Sequence, residues 1–279
     1  MDLNKVRIVA DSSSDILGLD KIPFNSAPLK IIAGDREFVD DKNLNTEEMV
    51  NYLYSYSGKS STACPSPEDW LKGFADAQYV FCVSITSNLS GCYNTACIAK
   101  EDYEEKYPDR KVFVIDSLST GPEMALIIEK LERLIIECVD FSEVCEKIME
   151  YKKKTGLLFM LESMKNLANN GRVNPIVAKA AGILGIRIVG KASEKGTLEI
   201  MDKCRGERKA LSTIVERIKE LWCKGGKIKI AHCFNDSAAN SLKKLIVENI
   251  KDVKIEIYSC RGLCSFYAEK GGMLIGFEK

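Results

Sequence analysis

At 279 residues the chain is long enough for one large domain or two smaller ones, and either buries a sizeable core. Forty basic and forty acidic side chains cancel, against 46% hydrophobic and 29% charged residues, so neither nucleic acid nor an anionic membrane surface is favoured as a partner. No apolar run approaches the ~18 residues that cross a bilayer, and Met1 to Arg7 lacks a leader pattern, so a cytoplasmic globular protein is expected.

Val6 to Ala10 reads as a first strand, closing on Asp11 and three serines. Ile22 to Ala33 is extended and apolar, broken by Pro23 and Pro28; after the turn at Gly34-Asp35-Arg36, Glu37 to Asp40 pairs back as a short hairpin. Asn45 or Thr46 caps a helix with Met49, Leu53 and Tyr56 on one face. A loop around Thr62, with Pro65 and Pro67, leads to a helix from Glu68 to about Ala77. Tyr79 to Ile85 is almost wholly apolar and rich in β-formers, which suits a strand buried on both faces. Thr86, Ser87, Asn88 and Ser90 then form a polar turn, and Gly91 opens a helical run that ends at Pro108-Asp109. Lys111 to Asp116 is the next strand; Leu118 to Pro122 turns into a long helix striped with Met124, Ile127, Ile128, Leu131, Leu134 and Ile135. A further helix covers Phe141 to about Lys153. This alternation argues for a parallel, helix-flanked sheet.

The character changes near Thr155. Gly156 to Leu161 reads as a strand, Met164 to Gly171 as a polar stretch, and Pro175 to Leu184 as a short helix. Ile186 to Lys191 and Thr197 to Asp202, joined by Ser193 to Gly196, are an antiparallel pair. A helix to about Cys223, a strand Lys227 to His232, a helix Ser237 to Asn249, and strands Lys254 to Ser259 and Met273 to Phe277 complete the chain. The expected architecture is α/β in two lobes, residues 1–154 with a mostly parallel sheet and residues 155–279 with a mixed sheet, a ligand lying between them.

Strand, polar turn, helix is how an α/β sheet builds a site at a strand's carboxyl end, and the backbone N–H groups of such a turn favour an anion. Enzyme motifs are weak by comparison. Ser90 stands where a hydrolase nucleophile would, but Asn88 and Cys92 replace the glycines of G-x-S-x-G, and His232 is the only histidine available as a base. Neither a Walker loop nor G-x-G-x-x-G is present, no metal-ligand spacing stands out, and Asp40-Asp41 and Glu47-Glu48 read as solvated charges. No cofactor is expected. Eleven cysteines occur without a C-x-x-C pair, in apolar runs at Cys82, Cys223 and Cys260, so most are small buried hydrophobes of a reducing compartment; Cys64 and Cys92 fall inside the candidate site. What remains is head-group binding, with neutral donors from Thr62, Ser90, Gly91 and Asn88 converging on a carboxylate at no cost of burying a second charge. Two unrelated helix caps at opposite ends of the sheet are the plain alternative.

Three motifs carry a resemblance: Ala10-Asp11-Ser12-Ser13-Ser14-Asp15, Thr62-Ala63-Cys64-Pro65-Ser66, and Leu89-Ser90-Gly91-Cys92-Tyr93. In order and spacing the chain resembles the DegV family of bacterial fatty-acid-binding proteins over nearly its whole length. The resemblance implies that Thr62 and Ser90 hold the carboxylate of a long-chain fatty acid whose acyl chain fills a tunnel between the lobes. It also implies that a separate ATP-binding kinase subunit phosphorylates that carboxylate, so the chain is not an enzyme on its own. Arg172 in Gly-Arg-Val, Arg205 in Cys-Arg-Gly-Glu-Arg and His232 match family positions near the head group or partner. A lipid carrier without kinase coupling is the alternative. The sequence departs from the family at its end: the His-x-Gly-Pro-Gly stretch is replaced by Ser259-Cys-Arg-Gly-Leu-Cys, with Arg261 near the histidine's place.

Overall fold

The computed structural model describes residues 1–138, 140–176, 178, 185–221 and 225–279. The helix read over 175–184 falls largely outside these residues, as does Cys223. In chain order the elements are β1 (Val6–Asp11), β2 (Phe24–Ala27), β3 (Lys30–Ala33), β4 (Arg36–Val39), α1 (Thr46–Ser55), β5 (Ser60–Ala63), α2 (Pro67–Phe74), β6 (Tyr79–Ser84) and α3 (Cys92–Lys106). There follow β7 (Lys111–Asp116), α4 (Gly121–Glu137), α5 (Phe141–Lys152), β8 (Thr155–Leu161), α6 (Lys165–Asn169), β9 (Ile186–Ala192) and β10 (Leu198–Arg205). The last are α7 (Glu207–Leu221), β11 (Gly226–His232), α8 (Asp236–Asn249), β12 (Val253–Ser259), α9 (Gly262–Ala268) and β13 (Met273–Glu278).

Two large sheets organise the chain. The first runs β2-β1-β6-β7 and is wholly parallel; the second runs β10-β9-β8-β13-β11-β12 and is antiparallel except between β11 and β12. Parallel pairing with helical crossovers covers both faces of the first sheet, and Val80 to Val83 of β6 are accordingly fully buried. A small antiparallel sheet, β4-β3-β5, contains Thr62, so the segment read as a loop is a strand. The polar stretch after β8 also differs from expectation, forming the short helix α6.

α4 joins the two sheets. Met124, Ile127, Ile128 and Leu131 face the core of the parallel sheet, while the start of the helix packs on β13 and β8. Gly276 permits that approach, because a Cβ there would lie 2.5 Å from the Pro122 carbonyl carbon. Glu129 of α4 accepts from Lys229 at 2.5 Å and from Lys227 at 2.9 Å, both on β11. Burial raises the Glu129 pKa, but the bonds and charges of these lysines outweigh it and hold the carboxyl below its ordinary value.

In the second sheet strand alternation separates two environments. Leu158 and Met160 of β8, with Ile275 and Phe277 of β13, join the core under α7 and α8. Leu157, Phe159 and Leu161, with Leu274, point the other way. That second face is what the site is built on.

Candidate functional site

Two turns at the carboxyl ends of the parallel strands, one after β6 and one after β7, meet the apolar face of β8, β9 and β13. Asp11, at the end of β1, fixes the first. Its Oδ2 accepts the Ile85 N–H at 2.7 Å, and its Oδ1 accepts the Ser13 N–H at 3.1 Å and the Ser13 hydroxyl at 2.5 Å. Burial pushes this carboxyl up to about 6, against the opposing pull of those bonds. The Asp11 contact sets where the turn 85–91 leaves β6. A second anchor is the Thr86 N–H, which donates to the Ser119 carbonyl at 2.9 Å. The hairpin between β9 and β10 presses onto the same turns: Gly196 stands at a φ of +72°, and a Cβ there would lie 2.2 Å from the Thr86 hydroxyl oxygen.

Between these elements lies a cavity with about 810 Å³ of atom-free space, part of it open to solvent. Its walls are Leu157, Phe159 and Leu161 from β8, Leu274 from β13, Ala192 and Leu198 from the β9–β10 hairpin, Leu29, Ile85, Leu89, and one face of α9. Among the described residues, polar groups in the lining are few: Thr62, Thr86, Ser90, Ser119, Thr120, Arg172, Thr197 and Tyr267. An apolar slot with a small set of polar groups in its lining is the usual form of a site for a mostly hydrocarbon ligand.

Thr62 and Ser90 therefore line one cavity from two different elements. Thr62 Oγ1 lies 2.9 Å from the Tyr267 hydroxyl. Ser90 Oγ lies 3.2 Å from Cys92 Sγ and accepts weakly from the Cys92 N–H at 3.4 Å. Gly91 is the N-cap residue of α3, a position without a side-chain cap, and Cys64 packs near it. Cys64 is exposed and Cys92 buried, where desolvation pushes its thiol well above the ordinary range. Arg172 also lines the cavity, its Nε donating to the Leu89 carbonyl at 3.1 Å and its Nη1 to the Asn170 carbonyl, so it braces the turn that carries Ser90.

Gly91, which is exposed, and the remaining candidates lie outside the lining. Asn88 is exposed and donates through Nδ2 to the Lys195 carbonyl at 2.7 Å, tying its turn to the hairpin. Arg205 is exposed at the end of the edge strand β10. His232 is buried at the end of β11, its Nδ1 accepting the Asn235 N–H at 3.2 Å and its Nε2 standing 3.3 Å from Asp236. The structure thus places no histidine beside Ser90 in the cavity, as a hydrolase would need. Arg261 directs its guanidinium to the Asp41 carbonyl and its backbone N–H to Asp15 at 3.0 Å. No group of three or more potential metal ligands occurs among the described residues.

Two groups escaped the sequence reading. Asp40, read as a solvated charge, is buried and accepts the N–H groups of Gly262 at 3.0 Å and Leu263 at 2.8 Å, anchoring the start of α9; Glu47 and Glu48 are exposed as expected. Tyr267 was overlooked because α9 itself was. Its signal was present: Leu263, Cys264, Tyr267 and Ala268 are spaced as one helical face, and all four line the cavity.

A family model described as "Uncharacterised protein, DegV family" matches residues 5–279. A DegV domain-containing protein of Streptococcus pneumoniae is 42% identical over 276 residues, 98% of each chain. Among solved structures, a DegV family protein from Eubacterium eligens loaded with heptadecanoic acid superposes with a TM-score of 0.96 at 41% identity, covering 98% of this chain and 99% of that one. The Streptococcus pneumoniae Fatty Acid Kinase (Fak) B3 protein loaded with linoleic acid gives the same TM-score and coverage at 42% identity. No helix among the described residues is long and apolar enough to cross a membrane. Matched from residue 5 to its last residue, the chain belongs to the DegV family.

Proposed function

We propose that this protein binds one long-chain fatty acid, with the carboxylate against Thr62, Ser90 and the Gly91 N–H and the acyl chain in the apolar cavity between the two sheets. The observation that carries this reading is that Thr62 of β5 and Ser90 before α3, far apart in sequence, line the same cavity, whose other walls are leucine and phenylalanine from β8 and β13. Hydroxyls and a backbone N–H satisfy a carboxylate without the desolvation of a paired charge. Each buried methylene adds about 0.8 kcal/mol, so the chain supplies most of the affinity. Relatives of this length and fold loaded with heptadecanoic and linoleic acids support it.

The similarity to the Fak B3 protein supports a further step, in which the bound fatty acid is presented to a separate ATP-binding kinase subunit and leaves as an acyl phosphate. On this reading the chain is a binding subunit in the cytoplasm serving phospholipid metabolism, and catalysis belongs to the partner. The lobes divide at 154/155, with α4 and α9 bridging them. Native mass spectrometry of the purified protein, followed by denaturing extraction, is the test. A stoichiometric fatty-acid mass that is lost or reduced in the T62A/S90A variant is the expected result. A protein that stays ligand-free after incubation with fatty acids overturns the reading.

A further inference from the structure

We infer that Tyr267 is a third hydrogen-bond donor to the anionic head group, and that α9 is the element which fixes it there. The inference rests on the fatty-acid reading above and deepens it at the carboxylate end.

The geometry is direct. The Tyr267 hydroxyl reaches within 2.9 Å of Thr62 Oγ1, and both residues line the cavity. Two hydroxyls in contact share one hydrogen bond, which uses one of their two protons and leaves the other to point elsewhere. A carboxylate offers acceptor sites only, so on binding it replaces the mutual bond and accepts a hydrogen bond from each hydroxyl. Thr62 and Tyr267 then bind one oxygen together, leaving the second to Ser90 and the Gly91 N–H. Burial keeps the phenol above its ordinary pKa, with the bond from Thr62 and the charge of Arg172 opposing, so the group stays a protonated donor.

Its position is held from three sides. Asp40 accepts two N–H groups at the first turn of α9, the Phe266 ring packs edge-on against Tyr267 at 4.8 Å between centroids, and Asn166 donates to the Phe266 carbonyl at 2.8 Å. The cation at the other end of this stretch is turned away, since Arg261 is committed to the Asp41 carbonyl. The C-terminal segment therefore contributes a neutral donor to the site, where the sequence suggested a permanent positive charge.

The alternative is that Tyr267 merely ties α9 to β5. Isothermal titration of the ligand-stripped protein with hexadecanoate and with 1-hexadecanol separates the two, because the alcohol fills the same slot without an anion. Tyr267→Phe is expected to weaken hexadecanoate binding by about ten-fold and hexadecanol binding by less than about two-fold. Retained alcohol binding also reports that the variant is folded. An equal loss for both ligands, or no loss for the acid, overturns the inference. A wild-type protein that binds no hexadecanoate instead overturns the fatty-acid reading itself.

Discussion

Asp15 gives the sharpest physical test of how this core is built. It follows the three serines after β1 with a φ of +59°, in the left-handed region, and is half-buried as a residue. Its Oδ1 accepts the Arg261 N–H at 3.0 Å, while Oδ2 is buried with no partner. Desolvation, then the nearby charge of Asp40, push the carboxyl from 3.8 up to about 8, and the Arg261 amide only partly opposes this. A raised pKa means the fold prefers the protonated form. Below about pH 4 both states hold the proton and nothing is lost; between about 4 and 8 the unfolded chain has released it and the fold has not. Stability then falls with rising pH, by about 1.4 kcal/mol per unit from this group alone. Asp15→Asn keeps the acceptor for Arg261, removes the charge, and suits the left-handed backbone. The variant should match wild type near pH 4 and exceed it by about 2 to 4 kcal/mol at pH 7, measured by urea unfolding of ligand-free protein across pH 4 to 8. Parallel pH profiles for the two proteins would mean that the fold does not hold the Asp15 carboxyl in its protonated form.

Three further outcomes are expected. Lys229→Met leaves Glu129 with Lys227 alone and Glu256, which is largely exposed, without this partner, and should cost about 1 to 2 kcal/mol in urea unfolding. Ala192→Phe places a ring in the cavity from β9, so titration with a fatty-acid series should show at least about ten-fold weaker binding of the longest chains and little change for short ones. Arg261→Ala should leave hexadecanoate affinity within about two-fold of wild type, because its guanidinium binds a loop carbonyl; Arg172→Ala, which frees the Leu89 carbonyl of the Ser90 turn, should weaken it by about ten-fold.

The elements legible in the sequence were those whose residues answer to local rules. Lys111 to Asp116 matched its strand end to end, and Asn45 caps α1 through its side chain as its type suggests. α2 begins at Pro67 rather than Glu68, because Ser66 and Asp69 form a capping box around a proline in the first turn. The turn after β6 was readable as a site for the same reason: strand, hydroxyls and helix follow one another without interruption. Thr62 was legible as a residue and not as a strand, because β5 is four residues long and exists only by pairing with β3.

What stayed hidden depends on contacts across about 200 residues or more of chain. Asp40 resembles any surface aspartate until α9 brings two N–H groups to it from positions 262 and 263. Tyr267 resembles a core aromatic until it meets Thr62. Alternation along β8 told which residues share a face, but not that one face packs under helices and the other borders an apolar cavity, since Leu158 and Leu157 are the same residue type serving both. A lipid slot and a core obey one packing rule, so their difference lies in whether a neighbouring element fills the space. Here the turns after β6 and β7 and the side chains Leu157, Phe159 and Leu161 of β8 border one space that the described residues leave open.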